Sequence, residues 1–464
     1  VQPASVTVGG TNSYQFSGAG RIDGATGLRK EGTNTLVIAN ANSFTGPVVV
    51  DNGVLQYGLA GALGTAAGYI YATNQGSLDI NKTDTGLRTI AIAGAGYEGQ
   101  GAIINTSTDG GVNNLVGAIE LLGDATVSSV GRWNVKTTGT VTGNGHKLTK
   151  TGPGSVWLYR CGTTGLGDIE VLEGSFGAYP PVDLGDPSKT LVMQPGTTLA
   201  LWRTTDNVPP YDLDKKLELN GATVTSGFTA ANAGSNVWVG PIKLSLTNTF
   251  SISSGDLQLS NSLSGSGGFI KTGARTFFLN VANSYTGPTI ISGGTLALGQ
   301  DATLGSGDLV EFRGAATLDM SAKASGLVMG SGQTLIGANG AKVVGSVSLQ
   351  AGSILNVGKG SPGVFTLDNL SLSDATVKIA LGPDPNDLTG AVNGLIDVLG
   401  NITASGVTTF VLEPQGALDN FTAYTVARLA GTFDGSLANL QAVSTNPNFT
   451  FTFLDPASTW PYLQ

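Results

Sequence analysis

The chain has 464 residues and a formal net charge of -9; 40% of the residues are hydrophobic, 12% are charged and 70 are glycine. The hydrophobic content excludes a disordered glycine-rich chain, and the scarcity of charge argues against a protein of solvated helices. The acidic balance, without a basic stripe, excludes nucleic-acid binding because phosphates need cationic side chains. No apolar run reaches the length of a membrane-spanning helix.

The N-terminus predicts an exported protein that begins with a separate strand. Residue 1 is Val rather than Met, and we expect an extracellular or cell-surface protein whose signal peptide has been removed. Residues 1–16 are predicted to form an N-terminal arm, because the segment from Ser5 to Val8 alternates polar and apolar residues as a strand does.

Three degenerate copies of one module follow, at residues 17–64, 142–185 and 264–307. Each copy has a lysine before a short glycine turn, then an apolar strand, and later a glycine that begins another strand. The lysines are Lys30, Lys150 and Lys271, about 120 residues apart, and the later glycines are Gly53, Gly174 and Gly294.

Strand patterns outnumber helix patterns along the whole chain, as short runs of β-branched and apolar residues bounded by Gly, Asn or Asp. Long repeats that each hold several short strands favour a solenoid, and their unequal lengths argue against a closed propeller. We therefore predict an all-β chain in which residues 17–365 form a parallel β-solenoid with three degenerate repeats. Leu36, Ile38, Phe277 and Leu279 are predicted to lie on its strands.

Residues 366–464 differ in character from the repeats. Their strand patterns are longer and alternate with period two, most clearly at Phe449–Phe453. Such patterns are typical of antiparallel sheets with one buried face. We predict a small C-terminal antiparallel β cap that closes the edge of the solenoid and takes part in assembly.

The best-preserved repeat, GGFIKTGARTFFLNVANSYTGPTIISGGTLALG at residues 267–299, closely resembles the autotransporter-associated β-strand repeat of bacterial surface proteins. The resemblance implies a right-handed parallel β-helix and an exported passenger or fibre protein. Autotransporters end in a membrane β-barrel, and we expect too few residues after the solenoid for one. The resemblance is therefore to the passenger part. Three C-terminal stretches also resemble the ends of such proteins: Val357–Val364, Asn393–Ile402 and Phe421–Gly431.

Residues able to do chemistry are few. His146 is the only histidine, which excludes catalytic triads and histidine metal sites; we expect it in a solvated turn. Asp168, Glu170 and Glu173 are close enough to serve as paired carboxylates of a glycoside-cleaving enzyme, but acidic residues on a solenoid strand usually serve solvation. Cys161, the only cysteine, is expected to be a small buried side chain. We predict no enzyme activity and no cofactor.

The loop Gly382–Gly390 is the one candidate metal site. It contains Asp384, Asn386 and Asp387, whose oxygens could bind Ca²⁺, but it lacks the twelve-residue calcium loop and its closing Glu. A turn held by aspartate side chains is the favoured interpretation.

The five tryptophans could form a stripe on which sugars stack, or they could pack along one face of the solenoid. Trp157 occupies the repeat position of Val37 and Phe278, which favours packing. The five are Trp133, Trp157, Trp202, Trp238 and Trp460.

Three functions remain open. The favoured hypothesis is a structural protein that polymerises with itself, head to tail, into an extracellular filament or coat, one terminal segment adding as a strand to the next subunit. The second is a surface adhesin that binds a polysaccharide or a receptor, and the third a polysaccharide lyase or hydrolase. The predicted assembly residues are Val6, Val8, Phe449, Phe451, Phe453, Trp460 and Tyr462.

Overall fold

The computed structural model describes residues 1–65, 68–109, 115–203, 212–228, 234–419, 422–454 and 462–464. The chain divides into two compact units, Val1–Ile242 and Lys243–Gln464. Strands dominate both units, and helical structure in the described residues consists of three short 3₁₀ turns at Tyr97–Gly99, Gly358–Gly360 and Leu437–Asn439. No helix of the described residues has the length and apolar character needed to cross a membrane.

The strands that begin in the N-terminal unit are short and closely spaced. They are β1 Val6–Val8, β2 Tyr14–Phe16, β3 Leu28–Lys30, β4 Thr35–Ile38, β5 Val48–Tyr57, β6 Ile70–Asp79, β7 Thr89–Gly94, β8 Ile103–Ile104, β9 Val116–Ser128, β10 Arg132–Thr142, β11 Leu148–Thr151, β12 Ser155–Tyr159, β13 Gly162–Thr164, β14 Ile169–Val171, β15 Ser175–Tyr179, β16 Thr190–Met193, β17 Thr198–Arg203, β18 Asp212–Leu213, β19 Lys216–Leu219, β20 Thr223–Phe228, β21 Ser235–Trp238 and β22 Ile242–Leu244.

Parallel pairing between successive turns defines the N-terminal unit as a β-solenoid. Leu28 lies opposite Val48, and Val48 lies opposite Ile70, so one turn takes 20 to 22 residues. The residues predicted as an arm also belong to this ladder, because β1 pairs with β3 and β2 pairs with β4, both in parallel. The parallel β-solenoid predicted from the repeats is thus confirmed.

Side chains alternate between the interior and the outer face along each strand. On β4, Leu36 and Ile38 are fully buried while Val37 between them is partly exposed. Phe277 and Leu279 are buried in the same way in the C-terminal unit. The predicted strand positions of all four are confirmed, and stacked apolar side chains fill the interior of each unit because the period-two pattern keeps its register from turn to turn.

The strands of the C-terminal unit range from two to eleven residues. They are β23 Asn248–Ile252, β24 Asp256–Leu259, β25 Leu263–Ser264, β26 Phe269–Thr272, β27 Thr276–Leu279, β28 Thr289–Ile291, β29 Gly294–Leu298, β30 Leu309–Phe312, β31 Ala316–Asp319, β32 Leu327–Met329, β33 Thr334–Gly337, β34 Ala341–Leu349, β35 Ile354–Val357, β36 Gly363–Ser373, β37 Thr376–Leu381, β38 Gly394–Val398, β39 Ile402–Ser405, β40 Thr408–Pro414, β41 Ala427–Leu429, β42 Phe433–Asp434, β43 Leu440–Ser444 and β44 Tyr462–Leu463.

The predicted antiparallel cap is smaller than residues 366–464. Parallel pairing continues from β37 to β40 and from β40 to β43, with turns that lengthen to 32 or 33 residues. The antiparallel pairing in the described residues joins β41 to β44. Period-two alternation fits parallel and antiparallel pairing alike, and here β37, β40 and β43 remain in the parallel ladder. Residues 449–453 lie outside any strand, although each Phe is partly buried and each Thr is exposed.

Candidate functional site

A buried lysine fastens one corner of the solenoid in the C-terminal unit. Lys271, near the end of β26, is fully buried. Its Nζ donates three hydrogen bonds, each 2.9 Å long, to the carbonyl oxygens of Thr272, Gly273 and Gly293. The first two oxygens belong to its own turn and the third to the next turn. The ammonium therefore ties two successive turns together with all three of its donors.

The other two repeat lysines make the same arrangement, which we call the lysine clamp. Both are fully buried, and both use two carbonyls of their own turn and one of the next. Lys30 Nζ donates to the carbonyls of Glu31, Gly32 and Asn52 at 2.9, 2.8 and 3.0 Å, and Lys150 Nζ to those of Gly152, Gly154 and Glu173 at 2.5, 2.6 and 2.8 Å.

The later glycine of each repeat makes room for the clamp. Gly53, Gly174 and Gly294 directly follow the carbonyl supplied by the next turn, at φ of +73°, +66° and +61°. A Cβ on Gly174 would lie 2.4 Å from the carbonyl oxygen of Gly154 and 2.6 Å from Nζ of Lys150. The spacing of lysine and glycine in the sequence was the signal for this site, but sequence analysis gave the pair no role.

Burial controls the electrostatics of the clamps. It lowers the pKa of Lys30, Lys150 and Lys271 to about 8, and Glu173 and Asp256 partly oppose this for Lys150 and Lys271. Among the described residues none of the three lysines has an ion-pair partner. At neutral pH each remains mainly an ammonium, for which carbonyl oxygens replace the lost water.

A buried arginine performs a similar task at another corner. Arg88 is 2% exposed, and its guanidinium donates to carbonyls of earlier turns, including Nε to Gly68 at 2.8 Å and Nη2 to Tyr69 at 3.4 Å. It also donates to Leu63. Buried cations held by backbone carbonyls thus occur in the N-terminal unit beyond the clamps, and Lys215 is a further example: it is fully buried, and its Nζ donates to the carbonyl of Asp186 at 3.0 Å.

The candidate catalytic carboxylates are occupied by structural contacts. Glu170 accepts hydrogen bonds from Lys147 and from Gln194, and these bonds lower its pKa. Asp168 accepts from the backbone N–H of Thr190 at 2.8 Å, and Glu173 from that of Gly152 at 2.8 Å.

The remaining reactive residues behave as side chains of turns and of the core. His146 lies at a turn with its side chain 37% exposed. Cys161 is buried, and burial raises its pKa to about 12. In the described ranges, no three His, Cys, Asp or Glu side chains gather as metal ligands.

The loop that contains Asp384 and Asp387 is held by its own hydrogen bonds. Asp387 is buried, and its two oxygens accept bonds from the backbone N–H groups of Thr389, Val392 and Asn393 and from the Thr389 hydroxyl. Burial opposes ionisation, but these bonds outweigh it and lower the pKa to about 2. Asp384 accepts from the backbone N–H of Asn386. The geometry is that of the turn favoured from the sequence.

The described tryptophans fit the packing along the solenoid that the sequence favoured over a sugar-binding stripe. Trp133 and Trp238 are fully buried. Trp157 lies against Gly177 of the next turn, with the Arg132 guanidinium 4.6 Å from its ring centre, and Trp202 lies against Gly227. Trp460 lies outside the described residues.

The predicted assembly residues lie on strands or near the ends of the described chain. Val6 and Val8 face the interior opposite buried Leu28 and Lys30 but stay partly exposed. Phe453 packs within its own chain, with its ring centre 5.1 Å from that of Phe410. The rings of Phe449 and Phe451 stack at 6.3 Å, and Tyr462 pairs with Arg428 in the antiparallel ladder.

One exposed feature was missed by sequence analysis. Tyr69 and Tyr71 lie on either side of buried Ile70 at the start of β6, so both point to the outer face. Their ring centres are 5.6 Å apart and their planes differ by 18°. The alternation Tyr-Ile-Tyr could have indicated this pair, which we call the tyrosine pair.

Comparison with known proteins agrees with this architecture. The passenger-associated-transport-repeat family matches residues 28–56 and 269–298. Each match contains one lysine clamp with its glycine, Lys30 with Gly53 and Lys271 with Gly294. With the parallel solenoid, these matches fit a passenger-type β-helix of an autotransporter.

A relative of known class extends this comparison. The adhesin BmaC autotransporter of Brucella suis biovar 1 (strain 1330) is 30% identical to the chain over 173 residues. The match covers 34% of this chain and 4% of that protein. The relation and the repeat matches together imply a location at the cell surface or outside the cell.

Proposed function

We propose that the chain is part of a bacterial surface passenger that acts as an adhesin, with the solenoid as a rigid support for an outer binding face. The observation that supports this most directly is that both family matches coincide with lysine clamps of a parallel solenoid. The relative's description as an adhesin supports the binding role. We propose no catalytic role, because the candidate carboxylates Asp168, Glu170 and Glu173 make structural contacts.

The geometry suits a support that must stay folded outside the cell. A parallel ladder satisfies the backbone of one turn with that of the next, at a spacing of about 4.8 Å. The clamps supply additional donors to backbone carbonyls at the corners between turns. Outward side chains of successive turns therefore stand in fixed rows, and a fixed row loses little conformational freedom when it binds.

Surface display tests the adhesin proposal. The chain would be displayed on a non-adherent laboratory bacterium, and the cells attached to a cultured epithelial layer would be counted. We expect at least tenfold more attached cells than with the empty display system. A Lys271→Ala variant, displayed in equal amount, should attach less if the folded solenoid is needed. Attachment equal to that of the empty system would contradict the proposal.

A self-assembling filament is the second candidate, and one observation favours it. The inward-facing side chains of the first turn are partly or largely exposed; they are Val6, Val8, Tyr14 and Phe16. The ladder partners of Tyr14 and Phe16, which are Leu36 and Ile38, are fully buried. Among the described strands, β1 and β2 each pair on one side only. An edge of this kind can accept another strand.

Electron microscopy separates this candidate from a monomeric support. The filament proposal predicts fibres for the whole chain and soluble monomers of unchanged β content after deletion of residues 1–12. Fibres that persist after the deletion would exclude β1 from the joint. Discrete particles of the whole chain at high concentration would exclude the filament.

A further inference from the structure

The start of β6 carries an exposed apolar patch around the tyrosine pair. Tyr69 is 42% exposed, and neither phenol hydroxyl makes a hydrogen bond within the described part of the chain. Register extends the patch sideways: Val48 lies opposite Ile70 and Val49 opposite Tyr71, which places exposed Pro47 beside Tyr69. Four outward side chains from two turns thus form one continuous surface.

A charged group borders this patch on the side of the preceding turn. Arg29 lies opposite Val49 in the ladder, and its guanidinium contacts Asp51 at 2.5 Å and Glu31 at 2.6 Å. Two rungs of the ladder, about 10 Å, separate the backbones of Arg29 and Tyr71. Aromatic rings and ionised hydrogen-bonding groups therefore lie within the length of a disaccharide.

The backbone beneath the rings is held in place. Arg88 donates to the carbonyls of Gly68 and Tyr69 from below, and Ile70 between the two rings is fully buried. The rings therefore stand on an ordered strand, which lowers the entropic cost of binding a partner.

We infer that the tyrosine pair with its Arg29, Glu31 and Asp51 border is a binding site for a neutral oligosaccharide. A sugar ring has an apolar C–H face that suits the phenol rings, and its hydroxyls can donate to the carboxylates of Glu31 and Asp51. The border group carries two negative charges and one positive charge, on a chain of net charge -9, so acidic sugars are disfavoured.

The area of this patch is too small for a stable interface with a protein partner. A stable protein interface buries about 800 Å² on each partner, and four side chains with a charged border supply much less. Aromatic rings that join an apolar body to a polar tip suit a small, half-polar ligand. This inference rests on the proposed adhesin role and names the class of ligand for it.

Binding of defined oligosaccharides to the purified 464-residue chain tests the inference. The probes are a tetramer of β-1,4-linked N-acetylglucosamine, a tetramer of β-1,4-linked glucose and, as the acidic probe, a tetramer of galacturonic acid, all followed by calorimetry. We expect at least one neutral tetramer to bind, and to bind at least tenfold more weakly to the double variant Tyr69→Ala/Tyr71→Ala. The double variant Tyr69→Phe/Tyr71→Phe keeps the rings and should lose no more than about threefold.

Tyr14→Ala is the matched control, because Tyr14 is 46% exposed in the same unit but faces the interior; it should bind as the unchanged chain does. Circular dichroism and melting of each variant confirm that the fold is kept. Absence of binding by both neutral tetramers, tighter binding of the acidic tetramer, or equal binding by the double alanine variant would each overturn the inference. Display-mediated attachment that survives the double alanine substitution would overturn it as well, while leaving the adhesin proposal intact.

Discussion

Lys271 and Asp387 are both buried ions of the C-terminal unit, and the backbone supplies opposite groups to them. The lysine, at a corner between two turns, is surrounded by three carbonyl oxygens. The aspartate, inside one long loop, accepts three backbone N–H groups and one hydroxyl. Neither needs a side chain of opposite charge to be satisfied.

The difference lies in what each ion connects. Lys271 joins carbonyls of successive turns, so the clamp contributes to the stacking of the solenoid. Asp387 joins groups within residues 387–393, so its bonds shape a single loop. The buried cation therefore stabilises the contact between two turns, while the buried anion stabilises the conformation of one loop. The predictions that follow test this contrast, from the largest expected effect to the smallest.

Loss of a clamp should be the most damaging change. Lys271→Ala leaves three buried carbonyls without their donor and a cavity in place of the side chain. We expect the free energy of unfolding to fall by about 3 to 5 kcal/mol, measured by urea denaturation. Lys342→Ala, at a partly exposed lysine of the same unit, should change it by less than about 0.5 kcal/mol. Equal effects of the two would show that the clamp does not stabilise the fold.

The clamps should also make stability depend on alkaline pH. The pKa of Lys271 is about 8 in the folded chain and about 10.4 in the unfolded chain, so the unfolded chain binds more protons between these values. The free energy of unfolding should therefore rise with pH across this window, by about 3 kcal/mol relative to Lys271→Met. A difference between the two proteins that stays constant from pH 7.5 to 10.5 would contradict the lowered pKa.

Loss of the aspartate charge should affect one loop. Asp387→Asn exchanges one acceptor oxygen for a donor that faces backbone N–H groups, and we expect a loss of about 2 to 3 kcal/mol. Asp384→Asn, at the exposed aspartate of the same loop, should cost about 0.5 kcal/mol or less. Hydrogen exchange should show faster exchange within the loop for Asp387→Asn. Faster exchange in the neighbouring turns as well would show that Asp387, like Lys271, stabilises contacts between turns, which would contradict the proposed difference.

Low pH should remove the stabilisation that the Asp387 carboxylate provides. Its pKa is lowered from 3.8 to about 2, so its contribution is complete above pH 4 and is lost as the pH falls through 2. We expect a loss of about 2 kcal/mol over this range relative to Asp387→Asn. The two proteins would show parallel acid unfolding curves if the carboxylate were not stabilised.

Chelation should have the smallest effect. The oxygens of Asp387 already accept four hydrogen bonds, so a calcium ion is not expected in this loop. A chelator should leave the melting temperature of the chain unchanged within about 1 °C. A large decrease would mean that Asp384 and Asp387 hold a metal ion.

The fold could be predicted from the sequence because its pattern is local and repeated. Alternation at Leu36 and Ile38 fixes which side chains face inward, and three copies of one module indicate stacked turns. The pairing direction of β37 and β40 could not be predicted, because period-two strands fit parallel and antiparallel ladders alike until the length of the connecting turns is known.

Only part of the candidate site could be predicted from the sequence. Lys30 and Gly53 recur at nearly constant spacing in the other repeats. The carbonyls that the lysine contacts belong to the backbone of two turns, and backbone acceptors leave no sequence signature. The burial of Trp133 could not be predicted for another reason. A large aromatic residue in a strand gives the same sequence pattern whether it faces the core or the solvent. The sequence Tyr69-Ile70-Tyr71 alternates as a strand does, but the sequence does not show which of the two faces is buried. Only the structure shows that both tyrosines face the solvent.

The central claim, that three buried ammonium groups fasten the turns, can be tested most directly by titrating the lysine side chains by NMR in a protein labelled on lysine. We predict four signals that titrate near pH 8, below the usual lysine value of about 10.4. Three of them should each be lost in one of the variants Lys30→Met, Lys150→Met and Lys271→Met, and the fourth belongs to buried Lys215. Titration of the three clamp lysines near the usual value instead would contradict the account.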